Sequence, residues 1–176
     1  MASGLDIVLR ASELLLEEGR TDICFLLVGD GASRTELERK IADRGLTNVV
    51  MTGMLSKDRM PEVISNADAC LVHLIRRELF QSVIPSKIFE ASAMGKPVIL
   101  GVAGLAASLV ADADSGICIE PENEAQQIVA VKKLADDPAA AESFGANGQK
   151  LVSRYYNYDL LADEYLKRLE ECLDVA

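Results

Sequence analysis

Five short apolar runs, at residues 22–28, 48–52, 69–74, 98–100 and 116–119, constrain this chain more than any other feature. Each has strand length, and the residues between successive runs have helical rather than alternating periodicity. A strand apolar on both faces must be covered on both, and parallel neighbours need a crossover between them. The pattern therefore predicts an α/β domain: an open parallel sheet with helices on both faces and right-handed connections.

The intervening helices carry their own signals. Residues 4–18 place Leu5, Val8, Leu9, Ser12, Leu15 and Leu16 on one face, and Gly19 stops the run. Ser33 and Glu36 form a capping-box pattern for a helix over 34–44, and Ser56 precedes a helix reaching Ser65. Residues 105–111 form a short helix, Asn123 with Gln126 caps one running to Ala135, and residues 138–155 and 159–173 supply two more, joined at Asn157. No repeat or internal linker divides residues 1–176, which read as a single domain.

The stretch from Ser82 to Leu100 is the most informative chemically. Pro85 opens a helix, Gly95 closes it, and Pro97 starts the next strand. Lys87 falls in the first turn, where the helix dipole is positive and a cation costs about 0.3–1 kcal/mol. A bound anion would remove that conflict. Lys87 and Glu90 lie three apart on one face, so one can meet a phosphate while the other accepts from sugar hydroxyls. On spacing alone, a buried helix with two solvated charges is the competing reading.

Charge sharpens the contrast. The chain carries a net charge of -10, which argues against a nucleic-acid or anionic-membrane surface. Within 76–96, however, Arg76, Arg77, Lys87 and Lys96 face only Glu78 and Glu90. Hydrophobic content of 49% with only 5% aromatics suits a core of Ala, Val, Ile and Leu. The four cysteines are widely spaced and read as free thiols in a reducing compartment. No apolar run approaches the roughly 18–20 residues that span a bilayer.

In open parallel sheets ligands sit beyond the carboxyl ends of the strands. That rule gathers residues 29–31, 53–55, 73–78 and 101 beside the helix at 85. Gly29-Asp30-Gly31 either lets backbone approach a phosphate or ribose or simply makes a tight turn. The dinucleotide pattern fails, since Arg34 stands at its third glycine. His73 is the single histidine, which excludes a histidine triad or multi-histidine metal site within the chain. Tyr155, Tyr156 and Tyr158 are expected to pack between the last two helices.

Taken in order, Val28-Gly29-Asp30-Gly31, Met51-Thr52-Gly53, Asn66-Ala67-Asp68, Pro85-Ser86-Lys87-Ile88-Phe89-Glu90-Ala91 and Met94-Gly95-Lys96-Pro97-Val98-Ile99 resemble the C-terminal domain of family 4 glycosyltransferases. Gly116 and Pro121-Glu122-Asn123 continue the likeness. The resemblance implies a Rossmann-like half of a two-domain, B-type enzyme, cytoplasmic and at most peripheral at the inner membrane. It implies a nucleotide-sugar donor, UDP- or GDP-linked, with no further cofactor, no metal and retention of configuration. Its acceptor would be a polysaccharide or lipid-linked sugar.

Carried over residue by residue, Glu90 would bond the ribose, while the amides at Val83, Ile84 and Ser86 would face the donor sugar and diphosphate. Gly53, Met54 and Leu55 would lie along the base, and Lys87 would meet phosphate or donor. Two departures stand out. Many members have a Glu where this chain has Ser82. The family also has a strand and basic residues before the first helix, where this chain has Met1-Ala2-Ser3. The expectation is a fragment lacking its first strand and its N-terminal acceptor domain, inactive alone and able to form a homodimer through surface so exposed. A nucleotide-sugar epimerase domain and a non-catalytic interaction module are the alternatives.

Overall fold

The computed structural model describes residues 4–173. Five parallel strands alternate with helices: β1 (Phe25–Val28), β2 (Val49–Gly53), β3 (Cys70–His73), β4 (Val98–Gly101) and β5 (Gly116–Cys118). The helices are α1 (Asp6–Glu17), α2 (Arg34–Arg44), α3 (Met60–Ser65), α4 (Ser86–Ala93), α5 (Leu105–Asp112), α6 (Glu124–Asp136), α7 (Pro138–Tyr155) and α8 (Tyr158–Leu173). Single 3-10 turns occupy Lys57–Arg59 and Glu78–Ser82. The α/β class and the parallel pairing match the sequence pattern.

The strands do not form one continuous sheet among the described residues. β1 pairs with β2, and β3 pairs with β4, which pairs with β5. The N–H groups of Phe25 and Gly29 go to β2, and those of Cys70 and Leu74 go to β4. Since successive backbone groups point to opposite sides of a strand, Leu26, Val28, Leu71 and His73 turn theirs toward free edges. Both edges border the same core, because Phe25 and Leu27 from β1 and Leu71 from β3 share one apolar cluster.

Two cores sandwich β4, whose residues are all buried. Ile99 joins α1, α2, α6 and the β1–β2 pair on one face, whereas Val98 and Leu100 join Val72, α4 and α5 on the other. A buried polar tie links α1 to β2: Ser12 donates to Asn48 Oδ1, and Asn48 Nδ2 returns a bond to the Ser12 carbonyl at 3.3 Å. Helix α4, only eight residues long, would not persist alone. Ile88, Ala91 and Ser92 are its buried side chains, and complete burial of Ile88 alone contributes about 1.5–3 kcal/mol.

Several local signals resolve differently from expectation. Ser33 does not cap α2, because its backbone, at φ -93° and ψ 2°, is outside the extended region an N-cap takes; Glu36, the other half of the pattern, pairs with Lys40 at 2.7 Å. Ser56 likewise makes no side-chain cap and leads into the first 3-10 turn. Asn123 does cap α6, accepting from Gln126 N–H at 3.0 Å, while the Gln126 side chain accepts from Glu120 N–H at 2.7 Å. Tyr156 leaves the α7–α8 joint to pack on Phe89 of α4, with ring centroids 4.6 Å apart. Tyr155 and Tyr158 are exposed.

Candidate functional site

At the carboxyl ends of β1 and β2 the two glycine turns are stitched together. Gly29 N–H donates to the Gly53 carbonyl at 2.9 Å, and Gly31 N–H donates to the Asp30 side chain at 2.8 Å. Both glycine amides are thus occupied within the protein, which favours the tight-turn reading of residues 29–31. Gly53 adopts φ +74°, and a Cβ there would meet Arg34 Nη1 at 2.6 Å. That guanidinium also pairs with Glu38 at 2.8 Å and lies 3.6 Å from Asp30.

Arg34 therefore sits beside both turns, a placement the sequence reading missed. The i,i+4 spacing from Asp30 was the available signal; the residue was noted only for breaking the dinucleotide pattern. Met54, beyond Gly53, is 73% exposed, and Leu55 is half-buried.

At the ends of β3 and β4, the His73 ring lies against Gly101, where any Cβ would overlap Nδ1. Among the described residues neither ring nitrogen has a partner, and burial pushes the imidazole pKa down to about 4. It is neutral at pH 7, with one donor and one acceptor uncommitted. Beyond it the chain makes a charged loop tied to the far side of the sheet. Arg76 N–H donates to the Glu122 carboxylate at 2.9 Å, and its guanidinium lies 3.5 Å from Glu120.

The same loop rests on the β4–α5 turn, where a Cβ on Gly104 would overlap the Gln81 carbonyl. An open cavity of about 240 Å³ lies here, bordered by Leu74, Arg77, Phe80, Val102 and Pro121. Helix α4 starts at this rim. Pro85 is its N-cap and no side chain caps it, so the first-turn amides of Ser86 and Lys87 have no intrahelical acceptor.

Lys87 and Glu90 are both exposed. Among the described residues Lys87 makes no ion pair. Glu90 accepts a hydrogen bond from Ser86 Oγ at 3.2 Å, which orients the carboxylate along the helix. Val83 and Ile84 lie immediately before α4, both exposed. Ser82 Oγ turns back to the Leu79 carbonyl at 3.3 Å. Among the described residues no three His, Cys, Asp or Glu side chains gather as a metal group, and no helix is long and apolar enough to cross a membrane.

The site thus has two parts: a closed, internally bonded pair of turns at residues 29–31 and 53–55, and an open helix start where Ser86 and Lys87 keep free donors; the Val83 amide, expected to face the donor, instead donates to the Phe80 carbonyl at 3.3 Å. An arrangement of free amides, a cation and an oriented carboxylate can hold a phosphorylated, hydroxyl-bearing ligand.

The family profile described as "Glycosyl transferases group 1" matches residues 2–151. The chain is 28% identical over 162 residues to alpha-D-kanosaminyltransferase of Streptomyces kanamyceticus, covering 92% of this chain and 40% of that protein. It is 27% identical over 169 residues to O-antigen chain mannosyltransferase C of Escherichia coli, covering 93% and 42% respectively. The chain therefore spans less than half the length of these relatives. Among solved structures, HepE of Anabaena in complex with UDP superposes with a TM-score of 0.82 at 20% identity, over 96% of this chain and 45% of that one. S. aureus TarM, solved as a mutant in complex with UDP and other ligands, gives 0.80 at 16% identity, over 95% and 33%. These two structures share the fold.

Proposed function

This chain belongs to the group 1 glycosyltransferases, and on that premise we propose that it is the donor-binding half of a two-domain enzyme. That enzyme moves a sugar from a UDP- or GDP-linked donor to a polysaccharide or lipid-linked acceptor, with retention of configuration and without a metal. The observation that carries the reading is the start of α4. There Lys87 stands exposed in a first turn whose dipole disfavours it, beside backbone amides without acceptors. A diphosphate would satisfy all three.

The division of labour follows from the chemistry of each group. The amides of Ile84, Ser86 and Lys87 and the Lys87 ammonium stabilise negative charge on the departing diphosphate, in an arrangement formed before the reaction begins; the Val83 amide, engaged by the Phe80 carbonyl at 3.3 Å, takes no part. Glu90, held by Ser86, accepts from the ribose hydroxyls. Residues 29–31 form a surface against which the nucleotide rests, and the Gly29 and Gly31 amides are not donors to it, since both are engaged within the protein. Gly53, Met54 and Leu55 flank the base.

The free edges of β1 and β3 and the relatives' greater length support the two-domain reading. Gly4 lies beside Ile75, whose Cγ2 is 3.2 Å from a Cβ built on it. A strand leading into Gly4 would end at the carboxyl edge next to β3, as a parallel strand between β1 and β3 must. The acceptor side would belong to the other domain.

Calorimetry with UDP, GDP and ADP tests the proposal. One of the first two is expected to bind, and Lys87→Ala and Glu90→Ala are each expected to weaken it about tenfold, the loss of one charge-assisted hydrogen bond. No heat with any nucleotide, the behaviour of an interaction module, or variants that bind as the parent does, would overturn it.

A further inference from the structure

Glu122, between β5 and α6, has a left-handed backbone at φ +63°. The other non-glycine residue with positive φ among the described residues is Asp114, and aspartate tolerates this region where glutamate seldom enters it. Glycine would fit the turn without strain. The surroundings hold the turn closed: Asn123 N–H donates to the Glu120 carbonyl at 3.2 Å, and Glu120 N–H donates to the Gln126 side chain at 2.7 Å. A strained residue so over-determined by its neighbours points to a task for its side chain.

The task lies across the carboxyl edge of the sheet. Residues 75–84 connect β3 to α4, and the 3-10 turn within them is hydrogen-bonded only to its own segment. Among the described residues, every hydrogen bond and ion pair that leaves this segment starts at Arg76: its N–H donates to the Glu122 carboxylate at 2.9 Å, and its guanidinium lies 3.5 Å from Glu120. The ion pair is two-thirds exposed on both sides and adds little. The Glu122 bond is therefore the main fastening.

That fastening acts on the ligand end of α4. The buried side chains of the helix begin at Ile88 and no side chain caps it. Residues 82–87, all exposed except Pro85, thus take their place from the segment before them. Arg76, Arg77, Phe80 and Pro121, the last being next to Glu122, line the same cavity of about 240 Å³. A loop free to swing away from this cavity would leave the ligand-binding arrangement populated only part of the time, and binding would weaken by that fraction.

We infer that Glu122 is a positioning residue: its carboxylate, aimed by the strained turn, latches the 75–84 loop at Arg76 and so holds the start of α4 ready for ligand. The effect on nucleotide rests on the proposed function above, whereas the latch itself does not.

Trypsin reads the latch, because the loop offers Arg76 and Arg77 as cleavage sites and nicking follows the population of the open form. The parent, Glu122→Gly and Glu122→Gln are compared. Losing one charge-assisted hydrogen bond raises the open-to-closed ratio about tenfold. With that change divided evenly, Glu122→Gly is nicked after Arg76 or Arg77 about threefold faster, and in calorimetry it binds UDP or GDP, whichever the parent binds, about threefold more weakly. Its Tm is expected to hold or rise, since the strain removed offsets the freedom glycine adds to the unfolded chain. Glu122→Gln keeps the acceptor oxygen and is expected to rescue both readouts. The latch is overturned if Glu122→Gly is nicked and binds as the parent does, if its Tm falls by several degrees with nicking raised at other basic residues as well, or if Glu122→Gln behaves as Glu122→Gly. A parent that binds neither nucleotide sinks the proposed function instead. Nicking at residues 76–77 then decides the latch alone: faster in Glu122→Gly and parental in Glu122→Gln upholds it, and any other pattern overturns it.

Discussion

His73 has the most altered chemistry of any side chain near the site. Its pKa falls from 6.5 to about 4 because burial disfavours the imidazolium. Between those values the unfolded chain binds the proton and the folded one does not, so stability rises with pH across that window. The contribution is present above pH 6.5 and is lost as pH falls toward 4. Urea unfolding at pH 7 and pH 5 is expected to show a smaller difference for His73→Leu than for the parent. Equal differences would mean that the imidazole is not held neutral. Gly104 makes a steric case: at φ +77° with the Gln81 carbonyl against it, it has room for no side chain. Gly104→Ala is expected to cost about 1–3 kcal/mol from the backbone alone and to lower Tm, with looser seating of the 78–82 turn raising susceptibility to proteolysis there. Ser86→Ala tests orientation: nucleotide affinity should fall less than for Glu90→Ala, because the carboxylate remains while its aim is lost.

The packing of α4 against α7 shows two effects opposed at one position. Gly145 is in the middle of α7, where alanine would favour the helix by about 1 kcal/mol. Its Cβ, however, would overlap the Gly95 carbonyl, a backbone atom that cannot rotate away. The clash outweighs the propensity, and Gly145→Ala is expected to lower Tm by several degrees in a thermal melt. The two free strand edges make a further prediction: in hydrogen exchange the amides of Leu26, Val28, Leu71 and His73 should exchange well before those of Phe25 and Cys70, which are bonded across their pairs. What could be read from the sequence divides along similar lines. Strand positions follow from short continuous apolar runs and helix bounds from a period of 3.6, both local, and α2 and α7 are found where the pattern places them. The failed cap at Ser33 follows from a backbone turn that residue type does not fix, and the destination of Tyr156 depends on Phe89, a partner whose approach no local spacing encodes. Likewise the candidacy of Lys87 and Glu90 rests on dipole and spacing, which are local, whereas the link from Arg34 to both glycine turns needed the fold to bring β1 and β2 together.

For the molecule as a whole, the net charge of -10 disfavours polyanions, and under the proposed reading the local excess of cations at 76–96 is where an anion is received. The chain spans 40% and 42% of the two mannosyl- and kanosaminyl-transferring relatives above, and under the proposed reading the acceptor lies on the remainder. The isolated chain is then expected to bind nucleotide yet show no sugar transfer and no donor hydrolysis; turnover proportional to its concentration, measured by release of free nucleoside diphosphate, would contradict that. The contact of Tyr156 with Phe89 has a mechanical consequence. Phe89 precedes Glu90 on the helix that faces the ligand, and Tyr156 is the pivot from which α8 departs, so the two rings act as a fulcrum between a lever arm and the ligand's grip. A load applied to α8 must be borne by α4, and by reciprocity a ligand that stiffens α4 must change the force at which Tyr156 leaves Phe89. Pulling on α8 in an optical trap, with and without nucleotide, would read that linkage as a shift in rupture force, and Phe89→Ala should abolish it.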